Sequence, residues 1–122
     1  MIGVGKITLN VRDQDGAKRF WIDKMGFEEV IDQPMGEDAR WIEVRSTDSS
    51  IHLVLFAPVF EESKIGRLSN MIFVCDDIQR TFEELSGRGV EFVDKPSQQP
   101  WGWWASFRDN EGNLYGLSPR GE

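Results

Sequence analysis

The sequence predicts an α+β fold made of two copies of one β-α-β-β-β module. Each half of the chain shows a strand pattern, an amphipathic helix pattern and three further strand patterns, in that order. A short segment also recurs, since Gly26-Phe-Glu-Glu-Val30 is matched by Gly89-Val-Glu-Phe-Val93. A length of 122 residues suits one domain. We therefore expect a single domain, 1–122, with modules at about 1–58 and 69–122 and a connection at 59–68.

The first module opens with a strand. Residues 4–11 are predicted to form a half-buried strand, because polar and apolar side chains alternate from Lys6 to Val11. A helix follows, because apolar residues recur at helical spacing from Ala17 to Met25 and Gly26 is suited to end it. Asp13 and Asp15 are both candidate N-caps for this helix. The three remaining strands are predicted at 27–32, 40–45 and 50–56.

The second module repeats this order. An apolar strand is predicted at 70–75, Asp76 or Asp77 can cap the next helix, and Gly89 ends it. Residues 90–93 read as a strand. The last two strands form a hairpin around Asp109-Asn-Glu-Gly-Asn113, in which Gly112 is expected to adopt a positive φ.

Three tryptophans lie within four residues on the strand that enters this hairpin. In an extended strand Trp101 and Trp103 share one face, and Trp104 occupies the other. Indole rings at such positions either build a core or stack on a ligand or partner. The sequence leaves both roles open.

Charge and composition exclude several partners. A net charge of −7 argues against nucleic acid, whose binding depends on clustered Lys and Arg. No apolar run is long enough to span a bilayer, and the start lacks the pattern of a signal peptide. We therefore expect that the protein is neither inserted into a membrane nor secreted. The single cysteine, Cys75, is expected to be a buried, inert thiol and fits a cytoplasmic location. A small molecule or another protein is the expected partner.

The whole pattern resembles the vicinal oxygen chelate superfamily, which includes glyoxalase I, the bleomycin and fosfomycin resistance proteins and the extradiol dioxygenases. Five segments carry the resemblance: Ile7–Asp13, Phe20–Phe27, Phe73–Ile78, Arg88–Phe92 and Asp109–Asn113. It implies a U-shaped mixed sheet around a central cavity, commonly in a homodimer.

Enzymes of that superfamily hold a divalent metal through His, Gln or Glu side chains. The resemblance places the corresponding positions at Lys6, Val54, Asn70 and Gly116. Lysine has no lone pair to donate when charged, and valine and glycine have no donor side chain. Asn70 is left as a weak donor, which is too few to hold a metal, so we expect no metal and no cofactor. The Lys6 ammonium is expected to take the place of the metal and to pair with an anionic ligand group or a neighbouring acid.

The only histidine, His52, shares a strand face with Val54 and is either a structural residue or a polar anchor for a ligand. We predict a metal-free protein that binds a small, flat or cationic molecule. Two alternatives remain: a metal-dependent lyase or dioxygenase with a divergent ligand set, and a dimeric interaction module. The predicted ligand contacts are Lys6, Thr8, His52, Asn70, Trp101, Trp103 and Gly116. No catalytic residue is predicted.

Overall fold

Two compact units, Met1–Ile65 and Gly66–Glu122, make up the computed structural model of the chain. The structure describes residues 2, 4–36, 39–48, 50–57 and 68–121. The predicted connection at 59–68 lies outside these ranges except for Leu68, which already belongs to a strand. Among the described residues, each unit has four strands and one α-helix, which confirms the predicted α+β class and the two modules.

Unit 1 contains a mixed four-stranded sheet with the order β1-β4-β3-β2. Strand β1 pairs with β4 in parallel, while β3 pairs antiparallel with both β4 and β2. The elements are β1 (Lys6–Asn10), α1 (Gln14–Arg19), β2 (Glu28–Pro34), β3 (Arg40–Arg45) and β4 (His52–Phe56).

Helix α1 begins at an aspartate N-cap, which is one of the two predicted candidates. The Asp13 carboxylate accepts from the backbone N–H of Gly16 at 3.1 Å. The helix continues as a π-helical turn over Phe20–Lys24, in which the N–H of Met25 donates to the carbonyl of Phe20 at 3.1 Å. Gly26 follows with a φ of 79°, which suits the predicted helix end.

One face of the unit 1 sheet packs against this helix. Phe20 and Trp21 are buried there and meet edge to face, with ring centroids 5.2 Å apart. Gln14 fixes the start of the helix by donating to the carbonyls of Arg40 and Leu55 at 2.7 and 2.9 Å. The buried sheet residues of this core are Leu9, Ile42, Val44, Leu53 and Leu55. The alternate residues of the same strands therefore lie on the other face.

Unit 2 repeats the topology, with the order β5-β8-β7-β6 and a parallel β5–β8 pair. Its elements are β5 (Leu68–Cys75), α2 (Ile78–Gly87), β6 (Glu91–Gln99), β7 (Gly102–Arg108) and β8 (Leu114–Pro119). Asp77 caps α2 by accepting from the N–H of Arg80 at 3.1 Å. Among the described residues, no helix is long and apolar enough to cross a membrane.

Strand β6 is longer than predicted, and one tryptophan that was predicted on the next strand lies in a turn instead. It continues past Val93 to Gln99 and pairs with β7 up to Gln99 and Gly102, so Pro100 and Trp101 form the turn between the two strands. Pro96 and the polar Ser-Gln-Gln segment do not have a recognisable strand pattern, so this part of the strand was not predicted. Two register shifts accommodate this region, and β6 is the last strand of its sheet, where proline is tolerated.

An aromatic cluster and a buried turn hold unit 2 together. Phe82 of α2 meets Phe92 at 4.9 Å between ring centroids, and Phe92 meets Phe107 at 5.7 Å. In the β7–β8 turn, the buried Asp109 accepts from the Tyr115 hydroxyl at 2.7 Å and from the Asn113 N–H at 3.0 Å. Gly112 has a φ of 88°, which confirms the prediction for this turn.

Cys75 is half-buried and not fully buried as expected, because β5 ends there at the border of its sheet. Burial raises the pKa of the thiol, and Sγ lies 3.8 Å from the carbonyl oxygen of Ser118. A raised pKa keeps the thiol protonated at neutral pH and therefore unreactive.

Candidate functional site

The face of the unit 1 sheet that points away from α1 collects polar residues from three strands. Lys6 on β1 is the direct partner of His52 on β4, and Thr8 is the partner of Val54. Val54 is in turn paired with Glu43 on β3. Residues opposite each other in a ladder point to the same side of a sheet, so the predicted contacts Lys6, Thr8 and His52 lie together.

Glu43 is the centre of this group. Its side chain is 1% exposed, and three donors reach its carboxylate. Oε2 accepts from Lys6 Nζ at 2.8 Å and from the Trp41 indole Nε1 at 2.6 Å. Oε1 lies 2.7 Å from His52 Nδ1. We call these four residues, Lys6, Trp41, Glu43 and His52, the Glu43 cluster.

The ionisation of Glu43 follows from these contacts. Burial alone would raise the pKa of the carboxyl group, but the hydrogen bonds from Lys6, Trp41 and His52 together with the Lys6 charge outweigh burial and hold the pKa at about 2. Glu43 is therefore a carboxylate at neutral pH. A carboxylate can only accept hydrogen bonds, so His52 Nδ1 must carry the proton between the two groups.

Two members of the Glu43 cluster are open to approach. The Lys6 side chain is 54% exposed and that of His52 is 23% exposed. The Lys6 ammonium also lies 5.9 Å from the centroid of the Trp41 ring, and Trp41 meets Phe56 edge to face at 6.3 Å. The cluster can thus offer ammonium donors, an imidazole nitrogen and aromatic surface to a small molecule.

In unit 2, the predicted contact Gly116 lies on the face that carries Trp104. Gly116 pairs with Ser106, which shares the alternation of Trp104 along β7. The hydroxyl of Ser106 donates to Asp94 at 2.7 Å on the neighbouring strand. Gly116 is buried, and the Trp104 ring lies directly above it.

The two predicted tryptophan contacts occupy other places. Trp101 is in the β6–β7 turn and is 68% exposed. Trp103 is 39% exposed and alternates with Ala105 and Phe107, which puts it on the face that packs on α2, opposite that of Gly116. Asn70 lies in β5, and its side chain falls outside the described part of the structure. Within the described part of unit 1, the structure therefore brings Lys6, Thr8 and His52 together on one sheet face.

The family resemblance places metal ligands at four positions, and three of them do not fit a metal here. Lys6 donates to Glu43, Val54 is a buried apolar residue, and the space above Gly116 is filled by the Trp104 ring. Across the described ranges, no three His, Cys, Asp or Glu side chains converge as potential metal ligands. These positions supply an ammonium group and apolar surface where a dication needs lone pairs.

Sequence reasoning expected Lys6 to pair with a neighbouring acid but did not find Glu43. The signal was present: Glu43 lies between the apolar residues Ile42 and Val44 and alternates with Trp41. A carboxylate in the middle of such a strand needs a partner if it is buried. The parallel pairing of β1 with β4, which brings Lys6 and His52 to it, was not evident from the strand itself.

The paired βαβββ units define a class of α+β protein built by module duplication. Within it, the chain belongs to the Glyoxalase/Bleomycin resistance protein/Dioxygenase superfamily, whose sequence profile matches residues 3–117. This confirms the resemblance seen in the sequence.

Individual relatives agree with this assignment. The uncharacterized protein YetH of Bacillus subtilis (strain 168) is 35% identical over 112 residues, covering 92% of this chain and 93% of YetH. A superfamily member from Sphaerobacter thermophilus has a TM-score of 0.88 at 28% identity, over 98% of both chains. TnmS3, an antibiotic binding protein from Streptomyces sp. CB03234, has a TM-score of 0.83 at 33% identity, over 98% of this chain and 96% of TnmS3.

Proposed function

We propose that this protein binds a small molecule without a metal ion, and that the Glu43 cluster is its polar contact. The observation that carries the proposal is the buried Glu43 carboxylate, which holds the partly exposed Lys6 and His52 side by side on one sheet face. A charge buried on a sheet face is costly unless it is paired and hydrogen-bonded, and here the pairing also fixes two accessible polar groups. The similarity to TnmS3, an antibiotic binding protein, supports a binding role.

The ligand follows from the chemistry of the cluster. Glu43 and Lys6 carry opposite charges and neutralise each other, so the cluster does not attract a strongly charged group. The Trp41 and Phe56 rings add flat apolar surface. We therefore expect a flat, largely uncharged molecule with polar substituents, with Thr8 as an additional contact. The contacts expected from the sequence at Trp101, Trp103, Asn70 and Gly116 stay predictions for unit 2 alone. The cytoplasmic homodimer likewise stays a prediction.

A thermal-shift screen with a library of flat heterocyclic metabolites tests the proposal. A ligand at about 100 times its dissociation constant adds roughly 2.7 kcal/mol to native stability, which is a readily measured shift. The same hit should lose most of its effect on Lys6→Met and keep it on Lys95→Met, an exposed lysine of unit 2. Equal shifts in both variants would place the ligand elsewhere and contradict the assignment of the site.

A further inference from the structure

His52 is held in a defined orientation by the Glu43 cluster. Among the described residues, its side chain makes its hydrogen bond through Nδ1, to Glu43 Oε1 at 2.7 Å. Glu43 is itself fixed at Oε2 by Lys6 and Trp41. The imidazole ring therefore has little freedom to flip.

The protonation pattern follows from the same contacts. Since the Glu43 carboxylate accepts at Oε1, the neutral His52 ring must be the tautomer with its proton on Nδ1. Nε2 then keeps its lone pair. The side chain is 23% exposed, so another molecule can reach it.

We propose that His52 Nε2 is a hydrogen-bond acceptor for the ligand and that Glu43 is the positioning residue that makes it one. The inference rests on the proposed binding function and narrows it: the ligand must present a hydroxyl or N–H group at this point. The Lys6 ammonium, which has three N–H groups and gives one to Glu43, can donate to an oxygen elsewhere on the same molecule.

The tautomer can be measured without any ligand. Because the chain has one histidine, the imidazole resonances in a ¹⁵N–¹H correlation spectrum need no assignment by mutagenesis. In the neutral form of the ring, reached where a further rise in pH no longer moves the resonances, the spectrum should show a protonated Nδ1 and an unprotonated Nε2. A protonated Nε2 in the native protein would overturn the inference, whatever the ligand.

The Glu43→Gln variant should reverse the tautomer. Lys6 and Trp41 both donate to one oxygen of Glu43, so the glutamine oxygen should stay with them and its amide N–H₂ should face His52. Nδ1 then has to accept, and the proton moves to Nε2. If Glu43 did not set the tautomer of His52, the variant would leave the protonation pattern of the ring unchanged. Glu84→Gln, an exposed carboxylate of α2, is the control and should leave the His52 spectrum unchanged.

The ligand contact is tested with two matched probes, 2-naphthol and 2-methoxynaphthalene, which differ in the hydroxyl proton. Binding is followed by isothermal titration calorimetry in the wild type and in His52→Phe and, in the wild type, also by the His52 ring resonances. The wild type should bind 2-naphthol about fivefold to tenfold more tightly, the range expected from one net hydrogen bond. His52→Phe keeps an aromatic ring and removes the acceptor, so it should bind both probes equally. This variant tests the ligand contact even if Glu43→Gln does not fold.

The outcomes separate the inference from the proposed function. Equal binding of both probes to the wild type would keep a flat-molecule site at the Glu43 cluster and overturn the acceptor role of His52. If neither probe moved the His52 resonances at millimolar concentration, both the proposed binding function at this cluster and the inference would be refuted. A preference for 2-naphthol that disappears in His52→Phe would establish the inference.

Discussion

The indole ring of Trp104 lies against Gly116 so closely that a Cβ atom on this glycine would stand 2.1 Å from the ring carbon Cη2. Two further ring carbons would lie within 2.8 Å. The two residues are on neighbouring strands, and the missing side chain of one makes room for the ring of the other. At the position where the family resemblance places an acidic metal ligand, this chain has an aromatic contact instead.

Replacing Gly116 by alanine should destabilise unit 2. The added methyl group has to displace a large, part-buried ring, and overpacking of this kind costs about 1–3 kcal/mol. Urea titration measures the loss. Gly87→Ala is the control, because no atom lies within 4 Å of a Cβ built there. The packing argument fails if both variants have the same midpoint.

Protonation of Glu43 should contribute to the acid unfolding of the wild type. The pKa of this group falls from an ordinary 4.5 to about 2 in the folded chain, so its contribution is fully present above pH 4.5 and is lost as pH falls toward 2. The difference corresponds to about 3 kcal/mol. Stability should therefore drop between these pH values in the wild type and drop less in Glu43→Gln. Parallel pH profiles of the two proteins would show that Glu43 is not coupled to folding.

Gly112→Val should destabilise the β7–β8 turn by about 1–3 kcal/mol. Gly112 has a φ of 88°, which a β-branched residue adopts only with strain. Asn110→Val in the same turn is the comparison, since among the described residues only glycines have positive φ. Chemical denaturation of both variants tests the difference. A change within about 0.5 kcal/mol for Gly112→Val would contradict the strain.

The protein is predicted to hold no catalytic metal. Lys6 already donates to Glu43, and an acidic side chain at position 116 has no space beside Trp104. Elemental analysis of protein purified without chelator, followed by calorimetric titration with Zn, Ni, Mn and Fe ions, should give less than about 0.1 equivalent of tightly bound metal. One equivalent whose removal changes ligand binding would refute the prediction and favour a lyase or dioxygenase.

A homodimer is predicted in solution. Its basis is the resemblance to the family together with the exposed apolar residues of unit 2, namely Ile72, Val74, Val93, Trp101 and Trp103. Sedimentation equilibrium at micromolar concentration should give twice the chain mass of 14.0 kDa. A Trp101→Ser, Trp103→Ser variant is expected to dissociate more readily. A constant monomer mass would reject the dimer.

The sequence predicted most of the fold because its signals were local. Strand β3 has the predicted bounds, and Asp13 and Asp77 cap the helices as expected. Strand β6 was underestimated because Pro96 and polar residues mask a strand that irregular pairing tolerates. Lys6 and His52 could be nominated from the pattern and the family resemblance. Glu43 could not, because its importance depends on a ladder that joins residues far apart in the chain.

The parallel β1–β4 and β5–β8 pairs also govern the order in which the chain can fold. Each joins the first strand of a unit to its last, as in Lys6 with His52 and Ile72 with Gly116, while the remaining pairs are antiparallel neighbours. Such long loop closures are slow. During synthesis, β5 has to wait with an unpaired edge until β8 has left the ribosome. The same holds for β1 until β4 has emerged, so chaperone dependence and aggregation should rise in these two intervals of translation.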